Sequence, residues 1–118
     1  MNKGLSRSER IGGKAAFDRV FRDGRVYRVD EMIVRAVPNG LECSRLGLSV
    51  GRKVGGAVRR NRVKRLLREA YRLNKDLVSA ACDIVIVPRK QWQDLSLRAI
   101  EPSMREALSR IEKDLAGR

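Results

Sequence analysis

Ten consecutive residues, Arg59-Arg60-Asn61-Arg62-Val63-Lys64-Arg65-Leu66-Leu67-Arg68, hold six arginines or lysines and no acid. Their chemistry is charge recognition. A guanidinium grips a phosphate at two points and stacks on planar rings, which an ammonium does not. For bond making and breaking the chain is poorly equipped. It contains no histidine, and so lacks the commonest general acid–base group and the commonest metal ligand. Its acids are scattered, with no DxD or ExxE arrangement to hold a cation. We therefore assign no catalytic residue and no metal ligand. Cys43 and Cys82 form no CxxC pair; the reading is two buried free thiols, as in a reducing cytoplasm.

The rest of the charge points the same way. Lysine and arginine total 27 against 14 acids, a formal +13 with a pI near 11.0. Residues 45–72 alone contain ten of the cations and one acid, Glu69. A solvated helix face normally alternates sign to gain i,i+4 pairs, and crowding like charges costs helix stability. The penalty is tolerable where phosphates neutralise the stripe and release their counterions. An anionic membrane would call for bulky apolar anchors or a lipidation signal, and the chain shows neither. No apolar stretch approaches the roughly 20 residues of a membrane span, and Met1-Asn2-Lys3-Gly4-Leu5-Ser6-Arg7-Ser8 lacks the apolar core of a signal peptide. The expectation is a cytoplasmic protein without a membrane partner.

These cations must be carried by an ordered domain. At 118 residues and 42% hydrophobic, the chain is read as one domain with one modest core. Residues 1–13 read as a flexible basic arm. Ala16, Phe17, Val20 and Phe21 have the spacing of a short amphipathic helix over Lys14 to Arg22, stopped by Asp23-Gly24. Strands are expected at Arg25 to Arg28, Met32 to Val37 and Arg45 to Val50, with a turn at Pro38-Asn39-Gly40. Gly51, Gly55 and Gly56 surround a loop. A helix from Ala57 to Asn74 puts Val63, Leu66, Leu67, Ala70 and Leu73 on one side. Asn61, Lys64, Arg65, Arg68 and Arg72 lie on the other, with Arg62 at the edge. Asp83 to Val87 reads as a buried central strand. A last helix spans roughly Leu95 to Leu115, with Pro102 setting its start near Ser103 or kinking it.

Strand patterns flank the basic helix, and no partner helix joined by a tight turn is evident. Structured RNA fits this setting better than duplex DNA, which is usually read by all-helical dimers. Charge alone leaves both open, and leaves a ribosomal RNA-binding protein open beside them.

Arg60-Asn61-Arg62-Val63-Lys64-Arg65-Leu66-Leu67-Arg68-Glu69 resembles the RNR motif of the bacterial ribonuclease P protein subunit. The similarity continues upstream through Arg45-Leu46-Gly47-Leu48-Ser49-Val50-Gly51-Arg52-Lys53-Val54-Gly55 and through Phe17 and Phe21 before Gly24. Downstream it includes Asp83-Ile84-Val85-Ile86-Val87-Pro88-Arg89. Most of the chain is covered.

The resemblance implies an accessory subunit of a ribonucleoprotein endonuclease that removes the 5′ leader from precursor tRNA. The RNA subunit would be the catalyst, with Mg2+ bound to the RNA, no cofactor on this chain and no obligate protein partner. Arg59, Arg60, Asn61, Arg62, Lys64, Arg65 and Arg68 would dock on that RNA. A cleft between the first helix and the sheet would hold the single-stranded leader, through Phe17, Phe21, Arg35, Ser49, Arg52 and Lys53. Without the resemblance, Phe17 and Phe21 would be read as core residues. Met32 and Arg35 stand where many members carry cleft-facing aromatics, and Gly56 stands where several carry Asn. The implied fold is an α/β (α+β) sandwich: a four-stranded, mostly antiparallel sheet packed by about three helices. It is similar to a ribosomal-protein domain and has a left-handed βαβ crossover.

Overall fold

Alternation decides how the sheet is filled. Along Met32–Pro38, Met32, Val34 and Ala36 are buried while the residues between them are partly open, as a strand's period of two requires. The structure is a computed structural model and describes residues 5–89 and 92–116. Strands β1 (Arg25–Val29), β2 (Met32–Pro38), β3 (Arg45–Leu48) and β4 (Cys82–Pro88) form one sheet in the order β1-β2-β4-β3. The β1–β2 and β2–β4 pairs are antiparallel; β3 runs parallel to β4. Helices α1 (Lys14–Asp23), α2 (Ala57–Asn74) and α3 (Leu97–Ala116) complete the expected α+β architecture. Parallel neighbours need a long crossover, and α2 lies within the one joining β3 to β4.

The two faces of the sheet are filled unequally. On one, Tyr27, Val34, Leu46, Ile84 and Ile86 pack with Val63, Leu67 and Tyr71 of α2 and Ile100, Met104, Leu108 and Ile111 of α3. On the other, α1 supplies only Val20, with Ala16 and Phe17 beside it, against Val85, Val37 and Val87. The short α1 leaves part of its face uncovered. That opening is where a ligand can enter.

β4 is buried on both faces, as its apolar run predicts, yet it carries a buried acid, Asp83, only 1% exposed. Arg45 on the neighbouring strand grips it through Nε at 2.8 Å and Nη2 at 2.6 Å, and Asn39 Nδ2 donates to it at 2.9 Å. Burial by itself would raise this carboxyl. The hydrogen bonds from Arg45 and Asn39 outweigh it and hold the group below the usual carboxylate range.

Several expectations are corrected. Pro102 does not start the last helix: α3 begins at Leu97 and runs through it. Ser96 accepts the early N–H groups, its Oγ from Ala99 at 3.2 Å and its carbonyl from Ile100 at 3.1 Å. In the second turn a proline forfeits one bond, to the Arg98 carbonyl, while Ile100 and Met104 beside it are fully buried. Residues 5–13 are not a free arm. Leu5 and Ile11 are buried, Ile11 N–H donates to the Leu46 carbonyl at 3.0 Å, and Arg10 pairs with Leu46 along the outer edge of β3. Residues 1–4 of the expected arm lie outside the described residues. Leu73 is 49% exposed rather than core, and Tyr71 takes its place; burial pushes the Tyr71 phenol up to about 12. Neither cysteine is in a disulfide, but only Cys82 is buried and Cys43 is half-buried. Among the described residues no helix is long and apolar enough to cross a membrane.

Candidate nucleic-acid interface

The basic helix begins without a cap. Gly56 precedes it with no side-chain acceptor, and its first turn carries no acid, so unpaired N–H groups and the positive end of the dipole stay available to an anion. Gly55 has φ +135, and a Cβ there would lie 2.5 Å from Arg59 Cδ. Only glycine lets the Arg59 stem fold back so closely.

Asn61, Arg62, Arg65 and Arg68 are exposed along α2, whereas Arg59, Arg60 and Lys64 are half-buried. Arg62 Nη2 donates to the Leu95 carbonyl at 3.0 Å, and Arg59 Nη2 donates to the Trp92 carbonyl. These two arginines therefore brace the chain leading into α3 as well as facing outward. Arg59 Nε and Arg60 Nε are buried without a partner among the described residues. Arg72 leaves the predicted stripe, because Glu69 accepts from it at 2.9 and 2.7 Å. The side chains of Lys64, Arg65 and Arg68 make no hydrogen bond or ion pair among the described residues. Val58, 86% exposed, lies three, four and seven positions before Asn61, Arg62 and Arg65. An apolar residue on the charged arc of the wheel is a signal legible in the sequence.

The predicted cleft residues divide into neighbouring groups on the α1 side of the sheet. Arg35 Cζ lies 4.8 Å from the centroid of the Phe21 ring, a cation–π contact, and Phe21 is 43% exposed. Ser49, Arg52 and Lys53 line an open groove of about 530 Å3 with Ile33, Val87 and Arg89. Phe17 is half-buried over Gly47, where a Cβ would come within 2.6 Å of its Cζ. The expected aromatic substitution at Met32 is corrected: Met32 is fully buried beneath α2 and α3. Residues 32 and 35 of one strand cannot share a face. Ile33 and Arg35 are the cleft-facing pair, with Val87 opposite Ile33 in register.

Phe17 also shares a smaller cavity, about 190 Å3, with Arg10, Lys64 and Arg68. The cleft and the basic helix therefore meet around the β3 edge. Arg10, Ile33, Val87 and Arg89 were missed as candidates. Alternation starting from Arg35 would have found Ile33; the others depend on which strands become neighbours. Among the described residues no three His, Cys, Asp or Glu side chains come together as a metal site.

Fold and surface together define an α+β protein with a cationic helix beside an open, aromatic-edged cleft, the equipment of an RNA-binding protein. The Ribonuclease P family model matches residues 5–112. A ribonuclease P protein component from Thermotoga maritima is 36% identical over 117 residues, 99% of this chain and 100% of that one. The solved ribonuclease P protein of Staphylococcus aureus superposes with a TM-score of 0.76 at 32% identity, covering 89% of this chain and 95% of its own. That of Thermotoga maritima gives 0.76 at 32%, covering 88% and 98%. The chain belongs to the ribonuclease P protein family. The ribosomal alternative finds no support in these comparisons.

Proposed function

We propose that this chain docks on the ribonuclease P RNA through α2 and holds the 5′ leader of precursor tRNA in the α1-side cleft. As a family member it is a subunit of a tRNA-processing endoribonuclease. In this reading the RNA subunit cuts the phosphodiester and holds the Mg2+ that supplies the metal chemistry. The protein binds and orients. Asn61, Arg62, Lys64, Arg65 and Arg68, with Arg59 and Arg60 at the helix start, neutralise RNA-subunit phosphates. Phe17, Phe21 and Arg35 contact unpaired leader bases, each stack worth about 1–3 kcal/mol, while Ser49, Arg52 and Lys53 take its backbone. The cytoplasmic location and the lack of an obligate protein partner belong to the same proposal.

The observation that carries the reading is the shared cavity of Phe17 with Lys64 and Arg68. That proximity supports the reading, because positioning a leader against a catalytic RNA requires a leader-holding surface beside an RNA-docking one. No charge relay, nucleophile or metal cage is needed from the chain.

The test is reconstitution. Adding the protein to its catalytic RNA should raise precursor-tRNA cleavage at low magnesium, and the isolated protein should cleave nothing. Well-folded components that show no gain would refute the proposal.

A further inference from the structure

We propose that a groove on the β1 edge is a second station for single-stranded RNA, taking leader nucleotides that pass beyond Phe21. This rests on the cleft holding the leader. The groove, about 560 Å3, lies between β1 and the C-terminal part of α3, away from the RNR segment. Arg28, Arg35, Arg110 and Lys113 line it against one acid, Asp114. That acid is already engaged, accepting from Tyr27 Oη at 2.8 Å and Arg25 Nη1 at 3.3 Å.

Continuity with the cleft comes through Arg35. Its guanidinium sits over the Phe21 ring, and the residue also lines this groove. Val26 pairs with Arg35 in register and is 48% exposed, an apolar spot beside the cations where a base can lie. Arg110 is braced, donating from Nη1 to the Arg28 carbonyl at 3.0 Å and from Nε to Glu106 at 2.7 Å. The Arg28 and Lys113 side chains make no hydrogen bond or ion pair among the described residues. A plainer account is that charges on an edge strand deter strand pairing. It explains Arg25 and Arg28 on β1. It does not explain why α3 turns Arg110 and Lys113 into the same groove. Spaced cations around a small apolar patch match a flexible polyanion with exposed bases better than a rigid duplex.

The experiment uses the reconstituted holoenzyme and two precursors, one whose leader ends within the cleft and one whose leader is several times longer. Each phosphate contacted on a single strand contributes a salt slope of roughly 0.7, or about fivefold in affinity at 0.1 M salt relative to 1 M. R28A/K113A should therefore weaken long-leader binding by up to about 25-fold and reduce its salt slope by roughly 1.4. Short-leader binding should be unchanged. Both residues are exposed, so the variant keeps its core. Unchanged long-leader affinity overturns the station, and so does an equal loss for short leader or mature tRNA, which would mark a contact to some other part of the complex. Failure of the underlying cleft reading shows separately, as Phe21→Ala leaving short-leader affinity unaltered.

Discussion

Gly47→Ala tests the cleft through its floor. The glycine sits in β3 beneath the Phe17 ring, and a methyl group there would stand 2.6 Å from Phe17 Cζ, 2.9 Å from Cε1 and 3.1 Å from Ile11 Cδ1. Carbon atoms prefer separations of about 3.5–4.0 Å, so the ring must retreat by roughly 1 Å. β3 cannot retreat instead, because it is held in register to the buried β4 from Arg45 to Leu48. Ile11 limits movement on one side, so Phe17 must leave its rotamer or lift toward solvent, at about 1–3 kcal/mol of overpacking. A ring tilted out of plane loses its stack on a leader base, about 1–3 kcal/mol, equivalent to about 5- to 150-fold in affinity. The assay is the ratio of holoenzyme affinities for precursor and mature tRNA, with RNA-subunit affinity and urea stability measured beside it. The expected result is a reduced ratio, a modest stability loss and normal RNA-subunit binding. An unchanged ratio in a destabilised variant refutes the stacking role of Phe17. An unchanged ratio with unchanged stability refutes the clash itself.

Arg65→Ala removes an exposed cation without touching the core; RNA-subunit affinity measured against salt should fall and its log–log slope flatten by about 0.9, with stability unaltered. Phe17→Ala should reduce preference for precursor over mature tRNA while leaving that docking affinity intact; equal loss of both would indicate a folding defect. Asp83→Asn should destabilise the fold by about 3 kcal/mol, the low end for breaking a buried pair, since Arg45 keeps 25% exposure; urea denaturation at neutral pH measures it. Because the folded Asp83 carboxyl lies below its ordinary value, its contribution is complete above the unfolded pKa of about 3.9. It is lost as pH falls through the lower folded value, so the wild type should shed more stability than Asp83→Asn across that acid range.

The basic helix was legible in the sequence because its information is local. A wheel over residues 57–74 sets Asn61, Arg65 and Arg68 against Val63 and Leu67, and the helix forms with those faces. The apolar run at Ile84 to Val87 marked the central strand for the same reason. Local reasoning failed where a distant element intervened. Pro102 can sit in a helix because Ile100 and Met104 are locked into a core made by β1, β2 and α2. Leu5 and Ile11 are pinned because β3 leaves an edge for residues 10–11 to pair with. Met32 was misplaced through a lapse in alternation, which the strand's own period could have corrected.

Composition and pattern by themselves pointed to a polyanion-binding protein, a cationic helix with a defined outward face and, through an extended motif, the family. They contain no distances. Only tertiary structure could place Phe17 beside Lys64 and Arg68 and bring Arg28 and Lys113 to one groove. Helical and strand periodicities are properties of a few adjacent residues, fixed by backbone geometry. Which edges and faces become neighbours is decided by the packing of the whole core, and for this protein the surfaces that would meet RNA lie at those junctions.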